Sequence, residues 1–138
     1  MNSDNLSKIK DVGKNIATKY GLQLLILFGS QATGKVHKDS DIDIGFISNH
    51  HYGPLEKARI QLDYEQSTGL GPIELVDLKL MPPLLQRYVS LEGVLIYEQE
   101  SMDFAKRQIL GIKLAMEARS LLDMRSATLG TYINNSSK

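Results

Sequence analysis

The stretch Leu27-Phe-Gly-Ser-Gln-Ala-Thr-Gly-Lys-Val-His-Lys-Asp-Ser-Asp-Ile-Asp-Ile-Gly45 decides how the chain is read. An apolar run, Leu24 to Phe28, stops at Gly29-Ser30, and ten residues later the chain returns with Asp41-Ile42-Asp43. Two readings compete. One is a hairpin with a polar end. The other is a site for a nucleotide and its metal ions.

Strand geometry favours the second. Side chains alternate faces along a strand, so Asp41 and Asp43 project from one face. Two neighbouring carboxylates repel each other unless cations sit beside them. Hard oxygen donors suit Mg2+, and Mn2+ is also suited; Mg2+ takes few carboxylates and completes its shell with substrate phosphates. A strand that ends in Gly-Ser and leads into a helical turn, here Gln31 to Gly34, presents backbone N–H groups to phosphate oxygens. Glycine lets phosphate approach the backbone closely. The loop from Lys35 to Ser40 adds Lys35, His37 and Lys38, which can neutralise phosphate charge.

A two-metal phosphoryl or nucleotidyl transfer site calls for a third carboxylate on an adjacent strand. The stretch Gly-Pro-Ile-Glu-Leu-Val-Asp-Leu offers Glu74 and Asp77. They are three apart and face opposite sides of a regular strand. Glu74 lies inside the strand, where an unpaired carboxylate is costly to bury. Asp77 lies nearer the end and remains the alternative ligand.

Working outward, Leu6, Ile9, Val12 and Ile16 recur at helical spacing, and Gly21 is a plausible stop. Strands are expected at Leu22–Phe28, Ile42–Ile47 and Ile73–Leu78, with a short apolar segment at Val94–Tyr97. Helices are expected at Leu55–Thr68, from Pro82-Pro83 to about Ser90, and from about Ser101 to Leu129. Strands alternating with helices predict an α/β (α+β) fold, with a small mixed sheet and helices on one side. The last helix carries Met102, Ala105, Ile109, Ile112 and Met116 as one stripe, with Leu110, Leu114, Leu121 and Leu122 on another side. That surface suits packing on its own core or docking of a partner chain.

Bulk properties narrow the classes. With 138 residues and 42% hydrophobic content, the chain suits one domain with its own core. Zero formal net charge and the lack of a basic block give no electrostatic support for nucleic-acid or membrane-surface binding. The absence of cysteine excludes disulfides; with a polar N-terminus it suggests a cytoplasmic protein. The longest apolar run is too short to span a bilayer. His50 and His51 are adjacent and poorly placed to share a metal. Tyr20, Tyr64, Tyr88 and Tyr97 suit core edges, Tyr52 and Tyr132 a loop or the tail, and Arg59 and Arg87 helix surfaces.

Gly29-Ser30, ten residues, then Asp41-Ile42-Asp43 resembles the Gly-Ser-x10-Asp-x-Asp signature of the polymerase-β-like nucleotidyltransferase superfamily. The small size is similar to its minimal nucleotidyltransferase (MNT) branch. Ile73-Glu-Leu-Val-Asp-Leu78 resembles the third-carboxylate strand, and Leu91-Glu-Gly-Val-Leu-Ile-Tyr-Glu98 the segment after the next helix. A long C-terminal helix occurs in MNT antitoxins paired with HEPN toxins. The resemblance covers most of residues 22–98. It implies a single domain over 1–138, with a core at about 5–98 and a helical extension at about 101–130.

By that resemblance, Gly29 and Ser30 bind nucleotide phosphate, while Asp41, Asp43 and Glu74 are catalytic and hold two Mg2+ ions. Glu74 departs from the aspartate that many MNT proteins keep. The implied activity is transfer of AMP from ATP to a tyrosine of a cognate HEPN ribonuclease toxin, with a hetero-oligomer as the expected assembly. The rivals are a small-molecule nucleotidyltransferase of the aminoglycoside-resistance type and a silent antitoxin that blocks its toxin sterically. The first usually needs a further helical domain. Intact Ser30, Asp41 and Asp43 argue against the second. A polymerase is disfavoured by zero net charge and the lack of a thumb-like domain.

Overall fold

The computed structural model describes residues 3–29 and 41–136, with side chains to residue 125. Helix α1 spans Ser3–Tyr20 and buries Ile9, Gly13, Ile16 and Ala17. Asp4 in its first turn and Lys19 in its last both complement the helix dipole. Gly21 follows with φ +71°, a left-handed stop that glycine adopts without strain. The chain then enters β1 (Leu22–Phe28), which is followed by β2 (Ile42–Ser48), α2 (Pro54–Thr68), β3 (Ile73–Asp77), a 3-10 turn (Leu78–Leu80), α3 (Pro83–Glu92), β4 (Val94–Glu98) and α4 (Asp103–Ser136). Pro54 and Pro83 begin their helices, where a missing N–H costs nothing.

The sheet order is β3-β2-β1-β4. β1 pairs antiparallel with β2 and β4, and β2 pairs parallel with β3. The small mixed sheet is therefore as expected. The placement of helices on one side is not. On one face Leu25, Leu27, Ile44, Phe46 and Leu75 pack with Ile9 and Ile16 of α1 and Ile60 and Tyr64 of α2. On the other, Leu24 and Ile26 pack with Leu78, Met81 and Val89, and Phe104 of α4 closes over them. The physical reason is in β1. Its consecutive apolar residues supply both faces, so both need cover. Leu25 and Ile26 are each 0% exposed, and burying such a side chain contributes about 1.5–3 kcal/mol.

Tyr64 is a core residue rather than a core-edge aromatic. Its hydroxyl donates to the Ile9 carbonyl at 2.5 Å, tying α2 to α1. Burial pushes the phenol well above its usual range, so it stays neutral. Outside this core, Lys19 and Tyr20 of α1 both donate to Asp63 of α2, at 2.8 and 2.6 Å. Helix α4 is 34 residues long and continues past the expected end at Leu129 to Ser136. It lies along α3 at Gly111, where a Cβ would come within 3.3 Å of the Gln86 carbonyl. Ile109, Met116 and Leu121 remain exposed along it.

Candidate active site

The register of three strands brings the carboxylates together. Phe28 stands opposite Asp43 across β1 and β2, and Asp43 stands opposite Glu74 across β2 and β3. Ile42 and Ile44 belong to the core under α1 and α2, as do Ile73 and Leu75. By strand alternation, Asp43 and Glu74 both project from the other face. Asp41, just before β2, shares the parity of Asp43. Gly29 meets them from the end of β1 with φ +80°. A Cβ at Gly29 would lie 2.5 Å from Asp43 Oδ2, so the carboxylate rests against the glycine backbone. The two halves of the motif therefore touch.

The electrostatics follow from that arrangement. The Asp43 carboxyl is pushed above the usual carboxylate range, first by burial, then by the charges of Glu74 and Asp41 and by hydrogen bonding with Glu74. A group in this setting is stabilised by a proton or a cation. The donors are all hard oxygens, which fit Mg2+ or Mn2+. Among the described residues, no three Asp, Glu or His side chains make a metal cage by themselves. Mg2+ commonly takes its remaining ligands from substrate phosphate and water.

Glu74 is exposed, not buried, so the register and not a burial penalty sets its place. Asp77 stands at the other end of β3, opposite Phe46. Its Oδ1 accepts from the Lys79 N–H at 2.9 Å and caps the 3-10 turn. Ser30, Lys35, His37, Lys38 and the turn expected at Gln31 to Gly34 lie outside the described residues. His50 and His51 are exposed, and the His50 ring meets Tyr52 edge-on at 6.2 Å. Arg59 and Arg87 are exposed, as expected of helix surfaces.

Sequence reasoning missed two groups. Arg107 is half-buried, donates to Gln86 at 2.7 Å, and lines a cavity of about 320 Å³ with Leu24, Ile47 and Gln99, at the far end of β1 from Gly29. Gln61 and Glu65 of α2 bond to the backbone of β3 on either side of Glu74, at 2.8 and 2.7 Å. Polar residues one turn apart on a helix read as a solvated face. No local signal marks them as strand partners.

The polymerase beta nucleotidyltransferase family pattern matches residues 8–102, a span that contains Gly29, Asp41, Asp43 and Glu74. A protein adenylyltransferase, MntA from Aphanizomenon flos-aquae, is 25% identical over 113 residues, covering 75% of each chain. Among solved structures, a toxin–antitoxin with AMP-PNP superposes with a TM-score of 0.69 at 21% identity, over 90% of this chain and 98% of that one. A tri-AMPylated Shewanella oneidensis HEPN toxin in complex with MNT antitoxin gives a TM-score of 0.65 at 18% identity, over 93% and 98%. At these identities the structural matches establish the fold, with its sheet and long last helix.

Proposed function

The chain belongs to the polymerase beta nucleotidyltransferase family, and on that footing we propose that it is an antitoxin that transfers AMP from ATP to a tyrosine hydroxyl of a cognate HEPN ribonuclease toxin, in the cytoplasm. The observation that carries the reading is the cross-strand pair of Asp43 and Glu74, with Asp41 raising the charge density and Gly29 against Asp43. The protein adenylyltransferase activity named for the Aphanizomenon flos-aquae relative and the AMPylated toxin bound to an MNT antitoxin support the proposed substrate class.

In this reading Asp41, Asp43 and Glu74 hold two Mg2+ ions, and Gly29 and Ser30 receive the triphosphate. Bound Mg2+ supplies charge stabilisation of the phosphoryl oxygens. The tyrosine oxygen forms a bond to the α-phosphorus. The bond from that phosphorus to the β-phosphate oxygen breaks, and pyrophosphate leaves with the electron pair. Glu74, which like Asp41 is exposed, takes the phenolic proton. Gly29 has a conformational duty as well as a phosphate one: it leaves the space that Asp43 occupies.

The test is a mass measurement. The chain is incubated with ATP, Mg2+ and the product of the neighbouring gene, and that partner is weighed. Gain in AMP-sized steps, lost in Asp41→Ala/Asp43→Ala, is the expected result. No gain with tight binding retained would leave a steric antitoxin, a reading that the exposed apolar residues of α4 also suit. Asp77 gives a second expectation. Asp77→Ala removes the cap on the 3-10 turn and costs about 1 kcal/mol in denaturant unfolding. Transfer stays within about twofold of wild type, since a cap remote from the reacting groups contributes little to the transition state. A loss like that of the Asp41/Asp43 variant would move the third ligand from Glu74 to Asp77.

A further inference from the structure

β3 is an edge strand, and its backbone shows how Glu74 is held. The Ile42 N–H donates to the Pro72 carbonyl at 2.8 Å. With the strand period of two, Pro72, Glu74 and Val76 turn their backbone groups toward β2. Ile73 and Leu75 turn theirs outward, where an edge strand normally meets water. Here the Ile73 N–H donates to Glu65 Oε1 at 2.7 Å, and the Leu75 N–H donates to Gln61 Oε1 at 2.8 Å. One helical turn of four residues advances about 6 Å, and two strand residues advance about 6.6 Å. The spacings match, so α2 replaces the missing neighbour strand with two side-chain oxygens, an amide carbonyl and a carboxylate. Gly71, at φ +147°, clears the path: a Cβ there would lie 3.0 Å from Glu65 Cγ.

We propose that Gln61 and Glu65 are positioning residues that fix Glu74 in the metal-binding carboxylate set. The proposal rests on the reading of Glu74 as the third carboxylate. Glu74 is exposed, so no packing holds its side chain, and the Asp43 carboxylate repels it unless a proton or cation lies between them. What keeps it in place is the backbone of β3, bonded to β2 at Glu74 and to α2 at the residues before and after. Packing of α2 does not need these bonds, because Ile60 and Tyr64 already seat the helix on the sheet.

The test uses the full chain with a non-hydrolysable ATP analogue and Mn2+ as the probe. Ion binding is read by electron paramagnetic resonance, and exchange of the Ile73 and Leu75 amides by NMR. Gln61→Leu/Glu65→Leu removes both acceptors; Gln61→Glu/Glu65→Gln keeps both. The leucine pair is expected to weaken Mn2+ binding about 10–100-fold and to speed exchange at both amides. The exchanged pair should behave as wild type. Glu65→Leu alone, which loses one bond, should fall between and serves if the double variant does not fold. Faster amide exchange with unchanged Mn2+ binding would overturn the proposal. Glu74→Gln separates the two layers. If Glu74→Gln weakens Mn2+ binding and the leucine pair does not, the clamp is wrong and the third carboxylate stands. If Glu74→Gln binds Mn2+ as wild type does, the third-carboxylate reading falls, and the clamp with it.

Discussion

Asp43→Asn is expected to lower AMP transfer by about 10³-fold and yet leave the fold at least as stable at neutral pH. The two effects have one cause. Asp43 is partly buried, and Glu74 and Asp41 crowd it with like charge, so its carboxyl is held above the usual range. A carboxyl whose folded value is raised favours folding only while protonated. Its contribution is complete below the ordinary carboxylate range and is lost as pH rises through the raised value. At neutral pH the charged form opposes folding, and a neutral asparagine of the same shape does not. Wild-type protein without divalent ions should therefore gain more, or lose less, melting temperature than the Asn variant as pH falls from 7 toward the ordinary carboxylate range. Mg2+ with ATP should raise the wild-type melting temperature at pH 7 and have much less effect on the variant, because a ligand stabilises the state that binds it. Melting curves across pH, with and without Mg2+ and ATP, together with a transfer assay, decide the matter. A variant that melts below wild type at pH 7 would mean that Asp43 is a structural partner and not a repelled ligand.

The contrast between legible and hidden parts of this site has a physical pattern. β1 and β2 were readable because an apolar run, a Gly-Ser stop and an alternating Asp-Ile-Asp are local patterns. The convergence of Asp41 and Asp43 on one face follows from the strand period alone. The burial argument for Glu74 does not hold. The residue is exposed, and only the parallel register with Asp43, a non-local property, makes it a candidate. The double-sided cover of the sheet was present in β1 as an unbroken apolar run, but which helices supply it depends on chain path. Gln61 and Glu65 were hidden most completely, since their partners are backbone groups of another element. α4 runs beyond the expected end at Leu129 to Ser136 and carries Gly130 within it.

Gly29→Ala is the second large effect, and it tests the contact between the two halves of the motif. The sequence assigns Gly29 to phosphate approach. The structure adds two constraints that operate without nucleotide: φ is +80°, and Asp43 Oδ2 would lie 2.5 Å from a Cβ. A left-handed conformation costs an alanine roughly 1–2 kcal/mol. The contact is a separate cost, because no real Cβ sits that close to an oxygen. β2 cannot retreat easily, since Asp43 is paired in register on both sides, with Phe28 and with Glu74. The Asp43 side chain moves instead, and displacing a reacting-site group by about 1 Å lowers the rate roughly 10²-fold. A double-mutant cycle divides the two costs. In an Asp43→Ala background the carboxylate is gone, so Gly29→Ala should retain only the backbone part of its destabilisation. Equal destabilisation in both backgrounds would show that the Asp43 contact contributes nothing. Wild-type transfer by Gly29→Ala would place Asp43 outside the reacting centre, and the site would then have to be rebuilt around Asp41 and Glu74.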